Sequence, residues 1–166
     1  APIEKHPNSM NKSELRQIIL EQLESRLSIA QSATQRAIDA ATDEETVPEH
    51  KYDTLALEAS YLAHGQAMRV QECEDDIQCY RNLVLRDSER ITVSSYVVVI
   101  DEHDEHKHFF LGPRVGGLSV TWNENEIAIV TSNAPFGQAL MGKEVGDEIE
   151  FRVADKQFCY EVVSID

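Results

Sequence analysis

Residues 42–50 read Thr42-Asp43-Glu44-Glu45-Thr46-Val47-Pro48-Glu49-His50, and this short acidic stretch decides the fold. Pro48 has no backbone N–H and its ring clashes inside a helix, and it also biases Val47 toward extended geometry. A turn therefore lies here. Upstream, from Lys12 to about Asp43, there is no Pro or Gly, and Leu20, Leu23, Leu27, Ala30, Ala37 and Ala41 recur at steps of three and four with Thr34 filling the gap. That is a heptad-like seam on one helix of about 30 residues, roughly 45 Å long at 1.5 Å per residue. Ser13 is placed to cap its start. Downstream, a second seam runs through Tyr52, Leu55, Ala59, Leu62, Gln66, Arg69 or Val70, Cys73, Ile77 and Tyr80. Two helices of matching length around a short turn predict an antiparallel coiled-coil hairpin over residues 12–84, with its acidic tip at 43–49. Ala33, Ala37, Ala40 and Ala41 stand where leucines would widen the rod, so the distal end is slim.

Beyond the hairpin, residues 85–91 read as a charged linker and the period becomes that of strands. Tyr96-Val97-Val98-Val99-Ile100 is a buried-strand run, followed by His108–Leu111, Leu118–Trp122, Glu126–Thr131, Glu148–Val153 and Phe158–Ile165. Gly112-Pro113, Gly116-Gly117 and Gly146-Asp147 separate them as turns. Only Pro135–Met141 reads as a short helix. Helices first and antiparallel strands afterwards define an α+β chain of two small domains, the second over residues 92–166.

The 166 residues carry 30 Asp and Glu against 15 Lys and Arg, a formal charge of -15. The acids are not confined to a tail, since residues 1–90 hold 17 acids and 10 bases and residues 91–166 hold 13 and 5. Such a surface repels a phosphate backbone, so stable DNA binding by the protein alone is not expected. No apolar run approaches a membrane span, and no secretory h-region precedes the first helix, which points to a cytoplasmic protein. Cys73, Cys79 and Cys159 form no CxxC and no even set; Cys73 and Cys159 fit core positions. Residues 1–11 read as a disordered leader or an expression remnant, in which case Met10 is the natural start.

Carboxylates are the residues that could carry chemistry. Asp43, Glu44, Glu45 and Glu49 occupy the tip, with Asp39 and Asp53 close by. They read either as a solvated, acid-rich turn or as hard oxygen ligands presented to a divalent metal held by another macromolecule. His103, His106 and His108 lie among Asp101, Glu102, Asp104 and Glu105, a set that fits a polar hairpin loop and matches no helical or finger spacing for zinc. Gly112-Pro113-Arg114-Val115-Gly116-Gly117 lacks the form of a phosphate loop. No nucleophile has a patterned base beside it.

Val130-Thr131-Ser132-Asn133-Ala134-Pro135-Phe136-Gly137-Gln138-Ala139-Leu140-Met141-Gly142-Lys143-Glu144-Val145-Gly146-Asp147-Glu148-Ile149-Glu150 closely resembles the SPLGxALLGKxVGDEVE signature of the bacterial transcript-cleavage factors GreA/GreB. The closing Tyr160-Glu161-Val162-Val163-Ser164-Ile165 is similar to the family's YEVLSI end, and Lys51-Tyr52-Asp53 to the start of its return helix. The resemblance implies an FKBP-like carboxy-terminal domain that docks at the rim of the RNA polymerase secondary channel, with Pro135, Phe136, Gly137, Gly142 and Lys143 as docking residues. It implies a monomeric accessory factor, not an enzyme in itself. The hairpin would reach down the channel and meet the backtracked RNA 3′ end indirectly, with Asp43, Glu44, Glu45 and Glu49 acting in cleavage and Glu45 and Glu49 helping to hold Mg²⁺ shared with the polymerase active site. The isolated protein would not bind that ion stably.

The tip departs from the family pattern. Glu45 falls where the family has its Asp, but Pro48 falls where it has its Glu, and Glu49 comes one place later. A non-cleaving channel inhibitor is therefore the alternative. A third reading, a peptidyl-prolyl isomerase or chaperone module, needs an aromatic pocket, and Tyr96, Phe109, Phe110, Trp122 and Phe136 read mostly as core.

Overall fold

The computed structural model describes residues 11–42 and 53–166. The expected leader up to residue 10, and the turn carrying Asp43, Glu44, Glu45 and Glu49, lie outside the described residues.

Helix α1 spans Lys12–Thr42 and α2 spans Asp53–Arg81. Ser13, expected as a cap, is the second residue of α1. Along α1 the seam is buried or half-buried at Leu20, Leu23, Leu27, Ala30, Thr34 and Ala37, in strictly alternating steps of three and four. On α2 the same alternation selects Ala59, Ala63, Gln66, Val70, Cys73, Ile77 and Tyr80. Two expectations are thereby corrected or resolved. Leu62 is 57% exposed, and Ala63 takes the inward place; of Arg69 and Val70, Val70 faces in. A 3.5-residue mean repeat keeps a seam on its partner, and hydrophobicity of one residue does not override it. Arg26 lies against Cys73, and nearer the root Arg16 Nη1 donates to the Leu83 carbonyl at 2.8 Å, so the helices run antiparallel.

The chain divides into two compact units. One is Leu20–Gln78, and the other joins the described residues up to Ile19 with Cys79–Asp166. The root of the hairpin thus belongs to the second unit. Leu15, Ile19 and Tyr80 are fully buried there. Lys12, 3% exposed, donates from Nζ to the carbonyls of Arg86 at 2.6 Å and Ser94 at 2.8 Å. Burial lowers its pKa, with the charges of Asp87 and Asp166 opposing the shift. The linker is consequently fixed at several points: Arg86 N–H also donates to Ser94 Oγ, Arg90 bridges to Glu144, and Ile91 sits in the core.

Six strands form one sheet: β1 Tyr96–Ile100, β2 His106–Gly112, β3 Ser119–Trp122, β4 Asn125–Thr131, β5 Glu148–Val153 and β6 Lys156–Ile165, ordered β3-β4-β2-β1-β6-β5. Helix α3, Pro135–Leu140, precedes β5. Pairing is antiparallel except between β2 and β4, which run parallel with His108 opposite Ile127. The sequence alternates identically in either direction, so this one pair escapes a reading by periodicity. Val97, Val99, Leu111, Leu140, Ile149, Val162 and Ile91 form the core on the face that α3 covers. Tyr96, Phe110, Val120, Trp122, Ile127 and Ile129 are buried on the other face. Burial on both faces explains the unbroken apolar run of β1.

On the second face Tyr80 reaches Gly112, and its hydroxyl donates to the Arg114 carbonyl at 2.7 Å. A Cβ at Gly112 would overlap that hydroxyl. Tyr96 stands edge-on to Trp122 at 5.4 Å and stacks on His108, to whose Nδ1 its hydroxyl is bonded. Burial, then the charge of Asp166, push the Tyr96 pKa up to about 12, so the phenol keeps its proton.

Three outcomes follow for stability. Lys12→Ala leaves the Arg86 and Ser94 carbonyls without their donor, and a buried unpaired group costs about 1–3 kcal/mol; urea unfolding should show a loss in that range, as it should for Gly112→Ala, where overpacking costs about 1–3 kcal/mol. His108 has its pKa lowered from 6.5 by burial and then by neighbouring His106. Its contribution is thus complete above pH 6.5 and lost as pH falls through the lowered folded value. Unfolding midpoints measured between pH 7.5 and 5 should fall more steeply in the native protein than in His108→Gln, and parallel curves would contradict this.

Candidate functional site

The segment 130–150 runs from the end of β4 through α3 and a turn into β5, and most of its marked residues serve the turn. Pro135 opens α3 at its first position, where the missing N–H costs nothing. Gly137 is buried, and a Cβ there would fall onto the Thr131 carbonyl oxygen. Gly142 has φ +80, and its N–H donates to the Ile91 carbonyl at 2.8 Å. The Lys143 carbonyl accepts from Ile91 N–H at 2.9 Å, which leaves its half-buried side chain outside this backbone exchange. Asp147 Oδ2 accepts from Glu144 N–H at 2.8 Å, and Asp147 and Gly146 exchange backbone bonds with Val162. The signature therefore ties the linker, α3 and β6 together.

Of the five residues expected to dock, Gly137 and Gly142 are accounted for by packing and turn geometry. Pro135 is exposed, and Phe136 and Lys143 are half-buried, so these three present side chains at the surface. Phe136 is the hub of an aromatic cluster, 4.9 Å from Phe109, 5.1 Å from Phe151 and 5.8 Å from Tyr160, and Phe158 lies parallel to Tyr160 at 6.3 Å. Phe151, Phe158 and Tyr160 did not stand out in the sequence. Their alternation places Phe158 and Tyr160 on one face, but only the pairing of Phe151 with Phe158 brings β5 onto it.

The histidines do not converge. His103 lies in the β1–β2 turn, and His106 and His108 lie on β2, with His108 engaged by Tyr96. Among the described residues no group of three His, Cys, Asp or Glu is placed to hold a metal ion. The three cysteines are free and half-buried, less deeply than core positions demand. Burial and neighbouring carboxylates raise the Cys73 and Cys159 thiols, which disfavours the reactive thiolate. No described helix is long and apolar enough to cross a membrane.

Residues 86–166 match the family described as transcription elongation factor, GreA/GreB, C-term. Over 150 residues the chain is 29% identical to transcription elongation factor GreA of Thermodesulfovibrio yellowstonii, covering 87% of this chain and 88% of that protein. It is 38% identical over 76 residues to transcription elongation factor GreA of Clostridium acetobutylicum, covering 45% of this chain and 44% of that one. The crystal structure of GreA factor homolog 1 of Thermus thermophilus aligns with 92% of this chain and 93% of its own, at 20% identity and a TM-score of 0.37. With its signature turn built as described, the segment 86–166 is a GreA/GreB carboxy-terminal domain, and the chain as a whole is similar to transcription elongation factors of that family.

Proposed function

We propose that this protein is a cytoplasmic, monomeric factor that docks on bacterial RNA polymerase through its carboxy-terminal domain and inserts the hairpin into the secondary channel, where its tip stimulates cleavage of backtracked RNA. The observation that carries the reading is the hairpin itself: two helices of 31 and 29 residues ending in a segment that holds Asp43, Glu44, Glu45 and Glu49. A rod of roughly 45 Å cannot bury its own tip, which suits a group meant to act inside another molecule. Carboxylate oxygens are the donors Mg²⁺ accepts, and a metal shared with the polymerase would supply charge stabilisation for the attacking and leaving oxygens. In this reading Glu45 and Glu49 help hold that ion, Asp43 and Glu44 add negative potential, and Pro135, Phe136 and Lys143 contact the channel rim with Gly137 and Gly142 shaping the turn behind them.

The test is RNA shortening by purified polymerase stalled on a backtracked template. The protein should accelerate it, and joint replacement of Glu44, Glu45 and Glu49 by Ala should abolish the acceleration while binding persists. No acceleration at saturating protein would refute the cleavage role. Pro48 favours one second reading, inhibition without cleavage, which the same assay identifies as slower nucleotide addition with no short RNA product. Lys143→Glu should weaken polymerase binding severalfold without moving the thermal midpoint, because its structural role is carried by its backbone.

A further inference from the structure

The sheet ends at β5, which has β6 on one side and no strand on the other. A bare edge is a template for another chain, and proteins ordinarily blunt one with Pro, Lys, a bulge or a covering segment. Glu148-Ile149-Glu150-Phe151-Arg152-Val153 holds neither Pro nor Lys, and its register with β6 runs unbroken from Glu148↔Glu161 to Val153↔Lys156. The two-residue turn Ala154-Asp155 closes on Val153 and Lys156, with Ala154 at φ +53, so the hydrogen-bonded pairs of the hairpin are those of Val153, Phe151 and Ile149. Glu148, Glu150 and Arg152 therefore point their backbone N–H and C=O groups outward. Beside the start of the strand lies an open cleft of about 400 Å³, with Glu148 and Glu150 on one side and Gln138, Ala139 and Lys143 on the other. At the far end, Val153 is 51% exposed.

The side chains of β5 say what fits this edge. An antiparallel copy of the strand centred on Phe151 sets Glu150 opposite Arg152 of the second copy, and Ile149 opposite Val153, each twice by symmetry. Opposite charges then meet on one face and apolar groups on the other. A register centred on Glu150 would bring two carboxylates together, so the charges select the first. Phe151 lies across from Phe158 within the hairpin, and the pairing continues that row into the same two rings of the second copy. We propose that β5 pairs edge to edge with β5 of a second copy of this chain, joining two six-stranded sheets in a weak, reversible dimer. The strand carries its own complement, which favours a copy over a foreign segment. Because Lys143 lines the cleft beside Glu148, and Phe136 lies 5.1 Å from Phe151, the second copy crowds two of the residues assigned to docking. The monomer thus remains the form that binds polymerase, and pairing withholds it; this consequence rests on the docking reading above.

Sedimentation equilibrium of the full chain from about 10 μM to about 1 mM should give a mass rising from one chain toward two, as suits an interface of a single strand pair. A one-chain mass throughout overturns the proposal. Glu150→Arg and Arg152→Glu each place like charges across the pair, so each should weaken association about tenfold, and the two changes together should restore it. Both positions are exposed, so the thermal midpoints of dilute samples should not move. Association that ignores the single changes, or that the double change does not recover, overturns the proposal. In the native chain the amides of Glu150 and Arg152 should exchange hydrogen more slowly in concentrated than in dilute samples, and equal rates also overturn it. Added polymerase should convert the dimer into complexes holding one chain, whereas complexes holding the paired chains overturn the withholding role. Failure to bind polymerase at all refutes the docking reading instead, and sedimentation and exchange still decide the pairing.

Discussion

A single ammonium joins the hairpin's root to the sheet: Lys12 Nζ holds the carbonyls of Arg86 and Ser94, residues on either side of the entry into the domain. Each of those carbonyls is a strong acceptor in a place where water is scarce, so one charged donor satisfying both fixes three segments at once. Around it, Arg16 reaches Leu83, Tyr80 reaches Arg114, and Ser94 exchanges bonds with Arg86 and donates its N–H to the Leu111 carbonyl. A charged stretch between a helix and a strand is thereby converted from a tether into part of the domain.

The same economy governs the family signature. Gly137 is required because α3 sits directly on the Thr131 carbonyl, and Gly142 because the chain reverses there with positive φ to meet Ile91. Once those constraints are satisfied, Pro135 and Lys143 keep side-chain surface, and Phe136 packs on Phe109, Phe151 and Tyr160.

Alternation of Glu148-Ile149-Glu150-Phe151 announces a strand with one wet face, and the buried run of β1 announces a strand covered twice; both were legible and both stand. The seam of α1 was legible residue for residue from Leu20 to Ala37. On α2 hydrophobicity pointed to Leu62, yet strict heptad spacing placed Ala63 inward, since a coiled coil selects by angle before it selects by size. The aromatic cluster was not legible, as it is assembled from β2, α3, β5 and β6 through strand pairing across long separations.

The sequence by itself determined the two periods and the signature turn, because each is encoded in local spacing or in residues with restricted backbone freedom. Only the tertiary structure decided that Lys12 is buried, that β2 and β4 run parallel, and that Phe109, Phe151 and Tyr160 gather around Phe136. These depend on which distant segments meet, and a side chain's partner, unlike its period, is not written in its neighbours along the chain.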